Sequence, residues 1–280
     1  MKMDILHFLY ETAAGSLLLH PLTSRTISKL CGEWMDSPLS ACLIRPFVNK
    51  YDIDLSEYEM EGVRSFNDFF GRKIRSGSRP VDTDPDHLIA PCDGLLSIRK
   101  IQKDMVFTVK QSRFTIGSLL RDRKLAKRYE GGLCLIFRLC VNHYHRYVYA
   151  DSGRKSSNRH IDGRYHTVRP VALAHRPVFT ENSREYTVIR SETFGPVVQM
   201  EVGAMLVGRI CNYHGSRLVR RGEEKGRFEY GGSTIILLIE KGKLTLTDKI
   251  RMSLDTENEI PVLMGQMIGE SGGESGGRFS

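Results

Sequence analysis

Gly231-Gly232-Ser233-Thr234 opens an unbroken apolar run over 235–239, and a loop of mixed basic and acidic residues, 221–229, leads into it. Glycine accepts backbone conformations closed to other residues. A serine directly after two glycines can therefore turn its hydroxyl back on the carbonyl of Gly232. That geometry suits self-cleavage at serine, and such cleavage can leave a pyruvoyl group. The same four residues also read as a glycine turn ahead of a buried strand. Attack on a peptide carbonyl by a hydroxyl needs a base for the proton and a group that orients the base. Asp93, between Pro91 and Gly94, and His145, in Asn142-His143-Tyr144-His145-Arg146-Tyr147, are candidates for those two roles. The histidine segment reads as a strand, in which His143 and His145 point the same way. A His-x-His pair of that kind also fits a metal site, although no third ligand stands at a telling spacing.

Elements that can hold these residues follow from hydrophobic pattern. Residues 1–60 read as helical: apolar residues from Ile5 to Ile27 and from Cys42 to Val48 recur at helical spacing, with Lys2, Arg25, Lys29, Arg45 and Lys50 interleaved. Such a basic, amphipathic segment either packs on its own domain or lies on a membrane surface. From Leu88 the pattern turns strand-rich, with candidate strands at 94–98, 106–109, 133–141, 187–189, 197–202, 205–210 and 234–240, and a short basic helix at 119–129. The fold class expected is α+β: N-terminal amphipathic helices packed beside a β-rich, barrel- or sandwich-like core over 61–268. The stretch 269–280 is rich in Gly, Ser and Glu and reads as a disordered tail.

The 280 residues suffice for one large domain with a helical attachment. The formal net charge of +8 favours anionic partners, including acidic lipid headgroups. No zinc-finger, P-loop or aromatic RNA-binding signature is present, so nucleic acid is not an expected partner. Cys31, Cys42, Cys92, Cys134, Cys140 and Cys211 form no Cys-x-x-Cys pair, and no apolar run reaches the ~18 residues a membrane span needs. A reduced, cytoplasmic setting follows.

Five segments, in order, carry a resemblance. They are Phe66-Asn67-Asp68-Phe69-Phe70 with the following Arg72 to Pro80, Ala90-Pro91-Cys92-Asp93-Gly94, and Tyr144-His145-Arg146. After these come Val202-Gly203-Ala204-Met205-Leu206-Val207-Gly208, and then Gly226-Arg227-Phe228 followed by Gly232-Ser233-Thr234. Together they resemble the phosphatidylserine decarboxylase family over about 66–238. The resemblance implies a pyruvoyl-dependent enzyme that converts phosphatidylserine to phosphatidylethanolamine and CO2. Asp93, His145 and Ser233 would form the charge relay for cleavage between Gly232 and Ser233. Ser233 would become the pyruvoyl group, the Schiff-base site for the substrate amine, with no metal needed. The products, 1–232 and 233–280, would stay associated. Arg184 falls in a similar segment and is either a contact for a phosphate or carboxylate or a surface salt bridge. A lipid substrate places the protein peripherally on the cytoplasmic side of the cell membrane, against an anionic surface.

Two departures stand out. The family often has a second histidine three residues after the first, where this chain has Val148; His143 or His166 is a substitute. The spacing from Phe228 to the Gly-Ser pair is one residue longer than in the commonest form. His214 and Lys110 lie near matched segments and receive no role. Three other readings remain: a metal-dependent hydrolase or isomerase on a β-barrel, using His143 and His145; a non-catalytic β-rich binding module; and the same chemistry on another serine-headgroup lipid or a small amino acid. The first predicts bound metal and an intact chain, the second neither metal nor cleavage.

Overall fold

The computed structural model describes residues 5–102, 106–109, 112–205, 209–231 and 233–272. Its centre is a nine-stranded sheet. Eight strands run in the order Arg217–Val219, Gly153–Lys155, Arg184–Ser191, Gly195–Val202, Ser233–Ile239, Leu133–Leu139, Gly94–Lys100, Ile260–Val262. The ninth, Arg159–Ile161, pairs with Arg184–Ser191 off that path. Neighbouring strands are antiparallel.

The Ser233–Ile239 strand lies in the middle, buried at every residue. Its side chains alternate between two cores. Ile236 and Leu238 pack with the helical side, which includes Leu9, Tyr10 and Leu19 of the N-terminal helices. Ile235, Leu237 and Ile239 pack on the other side with Phe137, Leu139, Phe228 and Ile268. Both faces are covered, so the strand reads as a continuous apolar run rather than as alternation. Each fully buried Leu or Ile contributes about 1.5–3 kcal/mol, which anchors this strand independently of the loop before it.

Helices α1 (Ile5–Glu11), α2 (Ala13–Leu22), α3 (Arg25–Asp36) and α4 (Ile44–Tyr51) make up the N-terminal region. Thr12 and Ser24 cap α2 and α3 by accepting from the Gly15 and Ile27 amides. A short helix, α5 (Phe66–Phe70), starts with a capping box between Ser65 and Asp68. The basic helix expected at 119–129 is instead three short turns, Ile116–Leu120, Arg123–Ala126 and Lys127–Tyr129, broken where Arg121 adopts a left-handed φ of 48°.

Two other sequence expectations change. The strand expected over 133–141 ends at Leu139, and the histidine segment, expected as a strand, holds a turn over 141–143 before the strand Arg146–Val148. The His143 amide donates to the Cys140 carbonyl (2.9 Å), and the Cys140 amide donates to His143 Nδ1 (3.1 Å), which closes that turn. The expected strand over 205–210 is displaced: Met205 lies in a turn, 206–208 fall outside the described residues, and the strand is Ile210–Asn212. The tail expected from 269 begins later: Met267–Ser271 is a strand paired with Leu244–Leu246 and His87–Ile89. Lys110 and 273–280 lie outside the described residues.

Candidate active site

Ser233 is the first residue of the central strand and pairs in register with Leu139. It is buried, and among the described residues its Oγ has no hydrogen-bond partner. Gly231, two residues earlier, has φ of 134°, a conformation that costs a residue with a side chain energy. The strand clamps one end of this junction. At the other end, the Tyr230 amide donates to Asn67 Oδ1 (3.1 Å) and the Phe228 amide donates to the His145 carbonyl (2.9 Å). Gly232 itself lies outside the described residues.

His145 is fully buried, with Phe70 over its ring at a centroid separation of 4.0 Å. Its Nδ1 lies 2.9 Å from the His143 carbonyl oxygen. A carbonyl only accepts, so Nδ1 carries the proton and Nε2 keeps a lone pair. Among the described residues Nε2 has no partner. Burial pushes the His145 pKa down to about 3, against the opposing His143 and Gly231 backbones. A neutral, desolvated imidazole with a free lone pair is in the protonation state of a general base.

Asp93 is buried, and its carboxylate accepts from Arg79 Nε (3.0 Å) and Nη2 (2.8 Å) and from the Met264 amide (2.8 Å). Arg79 reaches Glu57 as well. The direct Asp93–His145 hydrogen bond of a serine-protease-like relay is therefore not made here. A charge-assisted guanidinium fork is a stronger partner for a carboxylate than a neutral imidazole N–H. Asp93 acts on the histidine turn through its field: it favours the charged form of His143, whose pKa burial lowers overall.

The reading of Arg184 as a substrate ligand needs correction. Its guanidinium is buried and donates to the carbonyls of Leu119 (2.8 Å), Thr180 (2.8 Å), Asn182 (2.8 Å) and Ser118 (3.0 Å). Four of its five N–H donors are thus committed to the fold. His166 joins α1 to the core, 3.2 Å from Tyr10 Oη and 3.3 Å from Glu181. His214 lies 3.2 Å from Tyr149 Oη. Among the described residues no group of three or more His, Cys, Asp or Glu is arranged to hold a metal ion.

Some site residues escaped the sequence reading of roles. Phe70, Asn67 and Arg79 all fall in the first matched segment, whose composition signals a helix and a basic turn but not what they touch. Arg72 is another: it is buried, stacked 4.0 Å from the Tyr58 ring, and its Nε and Nη2 have no partner among the described residues.

Among the described residues, the buried side-chain polar atoms without a partner belong to Ser28, Arg72, His145, Glu201, Ser233 and Thr234. The Arg72 charge also depresses the His145 pKa.

Comparison with known proteins identifies the family. The phosphatidylserine decarboxylase family profile matches residues 66–270. The chain belongs to the phosphatidylserine decarboxylase family. It is 42% identical over 271 residues to phosphatidylserine decarboxylase proenzyme 2 of Clostridium acetobutylicum, covering 96% of this chain and 93% of the relative. It is 40% identical to the phosphatidylserine decarboxylase proenzyme of Ruminiclostridium cellulolyticum, covering 95% and 90%, and 38% identical to that of Clostridium tetani, covering 95% and 91%. This is thus an enzyme of the decarboxylase type.

Proposed function

We propose that this decarboxylase matures by cutting itself between Gly232 and Ser233 and then converts phosphatidylserine to phosphatidylethanolamine and CO2. The observation that carries the reading is the pair of buried, unpartnered atoms, His145 Nε2 and Ser233 Oγ, in a chain whose relatives are named proenzymes.

His145, held by the His143 carbonyl, takes the Ser233 hydroxyl proton. Ser233 Oγ attacks the Gly232 carbonyl carbon, the Gly232–Ser233 C–N bond breaks, and an ester forms with a free amine on residue 233. Removal of the Ser233 α-proton expels the Gly232 carboxylate from Cβ and leaves dehydroalanine. Its imine tautomer takes up water and loses ammonia, leaving a pyruvoyl group at residue 233. Asp93, fixed by Arg79, supplies negative charge beside the histidine turn. The pyruvoyl keto group would act as an electron sink for the carbon that loses CO2, as pyridoxal cofactors do. His145, in its dry pocket, would pass to that carbon a proton taken from the substrate's ammonium group.

The segments 1–232 and 233–280 stay together because the Ser233–Ile239 strand pairs on both sides, with Gly195–Val202 and Leu133–Leu139. The protein works as a peripheral membrane enzyme. No helix among the described residues is long and apolar enough to cross a membrane. Six exposed large apolar side chains, Ile5, Leu17, Leu18, Leu30, Trp34 and Leu39, sit in the N-terminal region beside basic residues. That combination suits the surface of an anionic bilayer.

Intact mass under denaturing conditions tests the reading. Wild type is expected to give two fragments, the smaller starting at residue 233 with a blocked, pyruvoyl N-terminus, and Ser233→Ala a single uncut chain without activity. An uncut wild-type chain that still decarboxylates would overturn it.

A further inference from the structure

A cavity of about 430 Å³ lies between α3 and the core. On the helix side it is lined by Arg25, Ser28, Lys29 and Gly32. These positions follow the i, i+3, i+4, i+7 spacing, so one face of α3 looks into it. On the core side it is lined by His160, Arg209 and the carboxylate of Glu229, among others. Three observations mark it as a built site. Ser28 is buried, and among the described residues its Oγ has no partner. A Cβ built on Gly32 would meet nothing within 4 Å, so the helix leaves room there. The wall also connects to the processing loop: Asn67 donates to the Gly32 carbonyl (3.3 Å) and accepts from the Tyr230 amide (3.1 Å).

Charge decides what the cavity takes. Arg209 is committed to Glu229, with its Nε 2.5 Å and its Nη2 2.8 Å from that carboxylate. Among the described residues Arg25 and Lys29 make only loose, exposed pairs, 3.4 Å to Asp162 and 3.8 Å to Glu33. Exposed pairs of that kind contribute little and exchange readily for a better anion. The exposed Leu30 and Trp34 lie on the same helix, and Leu17 and Leu18 on the one before.

Resting on the decarboxylase reading, we infer that this cavity holds the phosphodiester of the lipid substrate. Arg25 and Lys29 engage the phosphate, Ser28 donates to it, and acyl chains run over the exposed apolar residues of α2 and α3. The serine end of the headgroup then points along the Asn67 wall toward Ser233. A phosphodiester keeps its charge throughout decarboxylation, so contacts to it position the substrate without opposing the reaction. A cationic clamp on the carboxylate would instead hold the charge that must disappear.

The test uses the mature enzyme and a short-chain phosphatidylserine kept below its micelle concentration, so that membrane binding plays no part. Arg25→Gln/Lys29→Gln is expected to raise KM about tenfold with kcat within about twofold, the signature of lost uniform binding. Gly32→Leu fills the cavity and replaces a glycine inside a helix, so it is expected to raise KM while the Tm holds or rises. Lys249→Gln, in the helix Asp248–Arg251 and outside the cavity lining, is the control, and intact mass confirms processing in each variant. KM values within twofold of wild type for both variants would sink the subsite and leave the decarboxylase reading intact. Inorganic phosphate, titrated calorimetrically, separates the sources. If wild type binds it, the double variant does not, and no serine phospholipid is turned over, the phosphate site stands and the decarboxylase reading fails. If KM shifts while phosphate alone does not compete, the site requires the lipid headgroup.

Discussion

Two buried polar clusters lie two strands apart in the same sheet, and they are built in opposite ways. Around Arg184 the cation is out of water, yet four carbonyls receive its donors. Burial lowers its pKa to about 10, still far above neutrality, so the charge persists. Around Ser233 the polar atoms are equally dry, but the hydroxyl and the His145 lone pair have no partners among the described residues. A satisfied buried cluster fixes a fold; an unsatisfied one stores reactivity, because its donors and acceptors remain available to a reacting group.

Substitutions can break that contrast. The largest effect is expected from His145→Gln, which removes the base: self-cleavage should slow by about a hundredfold to ten-thousandfold, with circular dichroism and Tm close to those of Ser233→Ala. Cleavage at the wild-type rate, followed by mass spectrometry, would remove His145 from the mechanism. Arg184→Met should do the reverse. It leaves carbonyls unpaired and should cost about 3 kcal/mol of unfolding free energy in urea, while folded molecules still cleave at a rate near wild type. A selective loss of cleavage without loss of stability would return Arg184 to the reaction.

Asp93→Asn sharpens the comparison at an intermediate position, since Asp93 is satisfied yet sits beside the histidine turn. Cleavage is expected to slow about tenfold, less than for His145→Gln, because Asp93 touches Arg79 and not the imidazole. An effect as large as that of His145→Gln would show that the relay contact forms during reaction. The smallest effect concerns acid. Burial lowers the pKa of His145 to about 3 and of His166 to about 4, from 6.5. The unfolded chain therefore binds these protons first, so their contribution to stability is fully present above about pH 6.5 and is lost as pH falls toward 4 and 3. In uncleaved Ser233→Ala, adding His166→Gln should flatten the fall in urea midpoint between pH 6.5 and 4. An unchanged slope would place the titration elsewhere.

The sequence by itself determined the central strand, the helical N-terminal region, the order of the family segments and the glycine-serine junction. These are local properties: an apolar run, a helical period and residue types in a short span. It also singled out Asp93, His145 and Ser233, through resemblance. Only the tertiary structure decided which partners they have. Arg79, fourteen residues before Asp93, takes its carboxylate. Phe70 covers His145 from seventy-five residues away, and Asn67 ties down Tyr230 from α5. The turn closed by His143 replaced an expected strand because a side-chain nitrogen captured a backbone amide, a competition that hydrophobic periodicity does not register. Arg184 looked like an exposed ligand because charge in a sequence carries no depth. Burial and hydrogen-bond satisfaction depend on which distant segments arrive at the same place, and only the folded chain specifies that.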